Sequence, residues 1–179
     1  RGMINFAFKS DAGQDYETLF SSYSDILHTE LEGQVILNYL SSHDDHHPYD
    51  PLREKSLEAA TRLLLAPGGS QVYYGDESSR ILRVEGAEGD AHLRSPMNWE
   101  ELEDNAVIGG VTAGEVYAHY CKLGQFRKAH PAVGAGRHQI LSREPYVFSR
   151  VYRKGSYVDR VVVGLDMEAG LKRLDVAGL

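Results

Sequence analysis

Residues 35–50 read VILNYLSSHDDHHPYD: an apolar run rich in β-branched and aliphatic side chains, two serines, then five consecutive ionisable residues, His43 to His47. With Gln34 added, the run Gln34 to Leu40 is bounded by Gly33 and Ser41 and is nearly continuous rather than alternating. That is the pattern of a strand covered on both faces, which belongs in a parallel sheet with helices packed against it.

The flanking segments supply those helices. Upstream, GMINFAFKS (Gly2 to Ser10) predicts a short strand, and DYETLFSSYSDILHTEL (Asp15 to Leu31) carries apolar residues at helical spacing. Downstream, DPLREKSLEAATRLLLA predicts a helix with Asp50 as N-cap and Pro51 at its first position, stopped by Pro67 and Gly68. SQVYYG (Ser70 to Gly75) reads as a further buried strand. Strand, helix, strand, helix, strand implies right-handed crossovers and a parallel sheet, so the fold class is α/β.

From Asp76 to about Thr112 no periodicity is sustained, and Gly86, Gly89, Gly109 and Gly110 punctuate a long loop. A loop of this length in a compact domain is usually functional. Ala113 to His130 is again amphipathic, with Val116, Tyr120, Leu123 and Phe126 on one stripe, and is ended by Pro131 and Gly134. Beyond it GRHQIL, PYVFSRVYR and DRVVVGLDM read as strands joined by short turns. This change of texture divides the chain near Val133 into residues 1–133 and an antiparallel unit over 134–179, whose three strands are few for an independent domain.

Composition narrows the function. A formal net charge of -7 without a Lys/Arg-rich block argues against nucleic acid as a partner. One cysteine, Cys121, excludes an intramolecular disulfide and a thiolate zinc cluster. No apolar run is long enough to span a bilayer. The first residue is Arg1, and the residues after it already read as a strand, so a preceding segment is expected.

In parallel α/β folds, functional groups gather where loops leave the carboxyl ends of strands. Two such ends carry acids here: Asp44 and Asp45 after one strand, Asp76 and Glu77 after the next. Convergent carboxylates suit glycoside hydrolysis, and they suit divalent metals equally well. Taken singly, each of these acids is more ordinarily a cap or a solvated loop residue. A metal-dependent hydrolase built on His43, Asp44, His46 and His47 is a second reading, but four ligands within one extended segment point alternately apart.

At this point four segments resemble one family. NYLSSHDD resembles the fourth conserved region of the α-amylase family, glycoside hydrolase family 13, where a strand ends in a His-Asp pair. ATRLLLAPGGSQVYYGDE is similar to that family's seventh helix and eighth strand, LRSPMNW to the loop that follows, and LGQFRKAHPAVGAG to the last barrel helix and the turn into the carboxyl-terminal β domain. The resemblance implies a partial (β/α)8 TIM barrel, its last three strands with their helices, followed by a partial antiparallel β domain.

The resemblance also implies roles. Asp44 would be the family's third carboxylate, which grips ring hydroxyls and holds them more strongly as the ring flattens toward an oxocarbenium ion. His43 would bind sugar hydroxyls, with Asp45, His46 and Tyr74 near the sugar subsites. The nucleophilic Asp and the acid Glu would lie on strands upstream of this chain, which alone would be inactive. The implied partner is an α-glucan, the implied location of the parent is secreted or periplasmic, and calcium, common in the family, would be held mainly outside this chain. A noncatalytic relative acting as a binding subunit is the remaining alternative. Ser42 departs from the Asn that many members carry before the His.

The remaining residues carry simpler expectations. Asp76 and Glu77 shape their loop, Arg94 pairs with a rim carboxylate or faces solvent, Trp99 is buried, and Cys121 is a packed thiol. A parallel sheet with an open edge and an uncovered apolar face is expected to self-associate.

Overall fold

The computed structural model describes residues 1–44, 47–168 and 170–173. Three strands, β1 (Gly2–Asn5), β2 (Val35–Asn38) and β3 (Gly69–Ser70), form a parallel sheet in that order. Met3 lies opposite Ile36, and Leu37 opposite Gly69. Between them run α1 (Phe8–Asp11) and α2 (Tyr16–His28), then α3 (Ser56–Leu65).

Local chemistry sets these boundaries. Helix α2 starts where the Asp15 carboxylate accepts the Thr18 backbone N–H at 2.9 Å, an N-cap bond. β1 stops sooner than its apolar pattern suggests, because the Asn5 side chain accepts the Ala7 N–H at 3.2 Å and turns the chain into α1. The third helix starts five residues later than the Asp-Pro signal predicts. Asp50 does cap backbone N–H groups, those of Glu54 at 3.0 Å and Lys55 at 2.9 Å, but Arg53 at φ 62 breaks the helical path between them.

β3 shares only Ser70 with the strand predicted over Ser70 to Gly75, since the chain leaves the sheet after Gln71, whose N–H still donates to Asn38 O at 2.8 Å. A buried polar chain ties these elements together. Asn38, with no exposed surface, accepts from Asn5 Nδ2 at 2.8 Å and donates to Pro67 O at 2.8 Å. Asn5 also donates to Tyr23 Oη at 3.0 Å, and that hydroxyl donates to Asp11 at 2.6 Å. Satisfied networks of this kind fix strand register more than they add stability.

The stretch 76–112 holds more structure than its sequence predicts: a 3-10 helix at Gly89–Arg94, α4 (Trp99–Glu103), and a hairpin of β4 (Val107–Ile108) and β5 (Val111–Thr112). These pieces are too short to show a period. Gly109 and Gly110, both at positive φ, form the hairpin turn. A capping box between Thr112 and Glu115 then opens α5 (Ala113–Ala129), which is followed by α6 (Ala132–Ala135).

The last strands, β6 (Arg137–Ser142), β7 (Val147–Lys154) and β8 (Tyr157–Gly164), form an antiparallel sheet in sequence order. One core joins both sheets: Phe20, Ile36, Leu63, Val133, Phe148 and Val161 are all buried in it. At its centre the fully buried Arg150 donates to the carbonyls of Leu65 and Val133, and its guanidinium lies 4.7 Å from the Phe148 ring centre. Arg127 similarly donates to the carbonyls of Leu64, Ala66 and Gly68 where α3 ends. Those carbonyls would otherwise lack partners, as at any helix terminus.

Candidate functional site

Past the carboxyl end of β2 the chain stays buried through Ser41 and then surfaces. His43 and Asp44 occupy a turn with their side chains 65% and 62% exposed, and His43 Nε2 lies 3.0 Å from Asp44 Oδ2. Arg94, from the end of the 3-10 helix, reaches this turn. Its Nε donates to His43 O at 3.0 Å, and its Nη2 donates to Asp44 Oδ1 at 2.8 Å and to Asp90 Oδ2 at 3.0 Å. Of the two expectations for Arg94, pairing with a rim carboxylate is the one observed.

The second acidic pair has a different job. Asp76 is 2% exposed, and its Oδ1 accepts from Ser41 Oγ at 2.6 Å and from Arg53 Nη2 at 2.8 Å. Its Oδ2 accepts the Tyr73 N–H at 3.3 Å. Asp76 therefore ties the end of β2 to the segment before α3 and to its own turn. Glu77 accepts the Gly75 N–H at 2.9 Å. Both acids shape the loop, as expected, and among the described acids following these two strands the exposed one is Asp44.

The support beneath the site is an arginine with no distinguishing mark in the sequence. Arg80, 2% exposed, donates to Ser95 Oγ at 2.7 Å, Tyr74 O at 2.9 Å and Leu93 O at 3.2 Å. Its guanidinium also sits 4.0 Å from the Tyr74 ring centre. Tyr73 donates its hydroxyl to Leu93 O at 2.9 Å, and burial pushes that phenol up to about 12. Ser78 and Asn98 exchange hydrogen bonds at 2.6 and 2.9 Å. The turn at 73–80 thus grips the segment 93–98 and fixes where Arg94 starts.

Tyr74 is 40% exposed, and its hydroxyl donates to Ser95 O at 2.8 Å. Trp99 is 63% exposed, contrary to the burial expected for it. Asn98 is pulled inward by Ser78, and the short α4, which buries none of its residues, carries the indole outward. Cys121 is free and half-buried on α5. Asp45 and His46, both candidate sugar-facing residues, lie outside the described residues. Among the described residues no group of three or more His, Cys, Asp or Glu is arranged to hold a metal ion.

The signals that would have found the missed residues are faint. Arg53 and Arg80 look like surface cations in sequence, and only an Arg in a segment dense with Gly, Ser and acids hints at a buried fork.

No family model matches the chain. It is 38% identical over 151 residues to the periplasmic alpha-amylase of Escherichia coli K12, an alignment covering 83% of this chain and 21% of that protein. The chain thus spans about a fifth of the length of that curated relative. Among solved structures, AmyP in complex with maltose superposes with a TM-score of 0.57 at 16% identity, over 91% of this chain and 39% of that one. The alpha-amylase from H. orenii gives a TM-score of 0.52 at 18% identity, over 84% and 38%.

Proposed function

This chain belongs to the α-amylase family, and from that premise we propose that its parent protein is a retaining glycoside hydrolase acting on starch and related α-glucans. In this reading residues 1–133 are the last three strands and helices of a (β/α)8 barrel, and 134–179 begin a carboxyl-terminal β domain. The parallel order of β1, β2 and β3 supports the barrel, and the antiparallel order of β6, β7 and β8 supports the second unit.

The observation that carries the functional reading is the exposed Asp44 carboxylate at the carboxyl end of a parallel strand, flanked by His43 and Arg94. A carboxylate held there accepts hydrogen bonds from two ring hydroxyls of a bound glucose. As the ring flattens and positive charge spreads over its anomeric carbon and ring oxygen, those bonds shorten and the negative charge gains in attraction. Asp44 thereby favours the transition state without itself breaking the bond. His43, Asp45, His46 and Tyr74 would orient the sugar. The Asp that attacks the anomeric carbon and the Glu that protonates the leaving oxygen would come from barrel strands outside these residues, and the chain alone would be inactive.

A calcium ion in the parent would be held by other segments. A periplasmic or secreted location is supported by the name of the bacterial relative and by a polymeric substrate that lies outside the cytoplasm.

The test is starch hydrolysis by the full-length protein, with the anomeric configuration of the first product followed by proton NMR. Release of the α-anomer supports the reading. First release of the β-anomer would contradict retention.

A further inference from the structure

Resting on the reading of Asp44 above, we propose that Arg94 is a positioning residue that holds the Asp44 carboxylate in the orientation in which it meets the sugar ring. One guanidinium takes hold of residues 43 and 44 together, through the backbone carbonyl of His43 at 3.0 Å and the side chain of Asp44 at 2.8 Å. Gripping a carbonyl and the next side chain from one planar fork fixes both the path of the turn and the direction of the carboxylate. A lysine ammonium, a single point charge, fixes neither as well.

Arg94 has a reason to stay where it is. Asp90, four residues earlier on the same 3-10 helix, accepts from the same Nη2 at 3.0 Å. The backbone on either side of Arg94 is held by buried groups, Leu93 O by Tyr73 Oη and by Arg80, and Ser95 O by Arg80, which also binds the Ser95 hydroxyl. Asp44, 62% exposed, has little packing of its own to direct it. The ion pair is half in solvent, so it contributes little to folding stability. Geometry is a different matter, because a misplacement of about 1 Å at a reacting centre costs on the order of a hundredfold in rate.

The test is kcat and KM on soluble starch for the full-length protein, with Arg94→Ala and Arg94→Lys made in the native and the Asp44→Asn backgrounds, alongside thermal unfolding. Arg94→Ala lowers kcat by about ten- to a hundredfold while leaving the unfolding temperature nearly unchanged, and Arg94→Lys recovers part of the loss. In the Asp44→Asn background the same substitution costs less than about twofold, because the carboxylate it would have aimed is gone. Equal losses in both backgrounds would mean that Arg94 acts on the substrate directly, and an unchanged kcat would mean that it positions nothing. Either overturns the proposal while the role of Asp44 stands. An unaffected kcat in Asp44→Asn alone overturns the reading of Asp44 and this proposal with it.

Discussion

Arg53 and Asp76 form an ion pair 2.8 Å long with side chains only 5% and 2% exposed, joining the segment before α3 to the turn after β3. Arg53 adopts φ 62 to reach it and also donates to Arg80 O at 2.6 Å. Asp76 in turn accepts from Ser41, two residues before His43. The pair thus braces the base of the turn that carries Asp44.

Breaking one side of such a pair leaves a buried charge without its partner. Asp76→Ala is expected to destabilise the protein by roughly 3–5 kcal/mol, read from urea denaturation midpoints. The double substitution Arg53→Met with Asp76→Ala should cost less than the sum of the single ones. Additive losses would mean that the pair does not act as a unit.

His138 gives stability a pH dependence of known sign. Burial, with help from the neighbouring Arg150, pushes its imidazole from 6.5 down to about 3, and Arg150 Nε donates to its Nδ1 at 3.2 Å. The folded ring is neutral, so its Nε2–H is left to donate to Tyr146 Oη at 2.9 Å. Below pH 6.5 the unfolded chain takes up a proton that the folded one refuses until about pH 3. The contribution is therefore fully present above 6.5 and is lost as pH falls through that window. Unfolding temperatures of the native chain and His138→Gln, compared between pH 7 and 4, should show a flatter dependence in the variant. Parallel curves would show that His138 does not carry the effect.

Gly68 sits at φ +99, and a Cβ there would come within 2.7 Å of Ile36 Cγ1 and 3.0 Å of Ile36 O. Gly68→Ala combines a left-handed backbone with a clash against β2, for an expected loss of about 1–3 kcal/mol. Denaturant midpoints check this, and a neutral result would show that the turn relaxes freely.

The chain has one tryptophan, and its 63% exposure makes a spectroscopic prediction. Native fluorescence should be nearly as red-shifted and as accessible to acrylamide as that of the unfolded chain. A blue-shifted, protected emission would mean that Trp99 is buried in solution.

Met3, Ile4, Phe6 and Val35 are each at least half exposed, and β1 pairs only with β2 among the described strands. Apolar surface beside an open sheet edge favours pairing with another copy. Light scattering of the 179-residue chain should report a dimer or larger species that Ile4→Lys weakens. A monomer at high concentration would contradict this.

The sequence was most legible where burial is regular. The run Gln34 to Leu40 stood out by its unbroken apolarity and holds β2, although Val35 is 55% exposed and the strand is not covered on both faces; the helices around Phe20 and Val116 and the three final strands are also present. The late start of α3 was illegible because it depends on Arg53 leaving the helical path to meet an acid 23 residues away. The short pieces between 89 and 112 have no period to detect. His43 and Asp44 stood out as ionisable residues after a strand, whereas Arg94 joined them only once the fold had brought the loop from 93 to 98 across to the end of β2.

Asp44 carries the functional reading, and its most direct test is starch hydrolysis by the full-length protein beside its Asp44→Asn variant at matched folding. The expected result is an active native protein and a variant slower by at least about a hundredfold in kcat, since in the proposed role the carboxylate would grip the sugar most strongly in the transition state. A native protein inert on starch and other α-glucans, or a variant as fast as the native one, would contradict that role for Asp44.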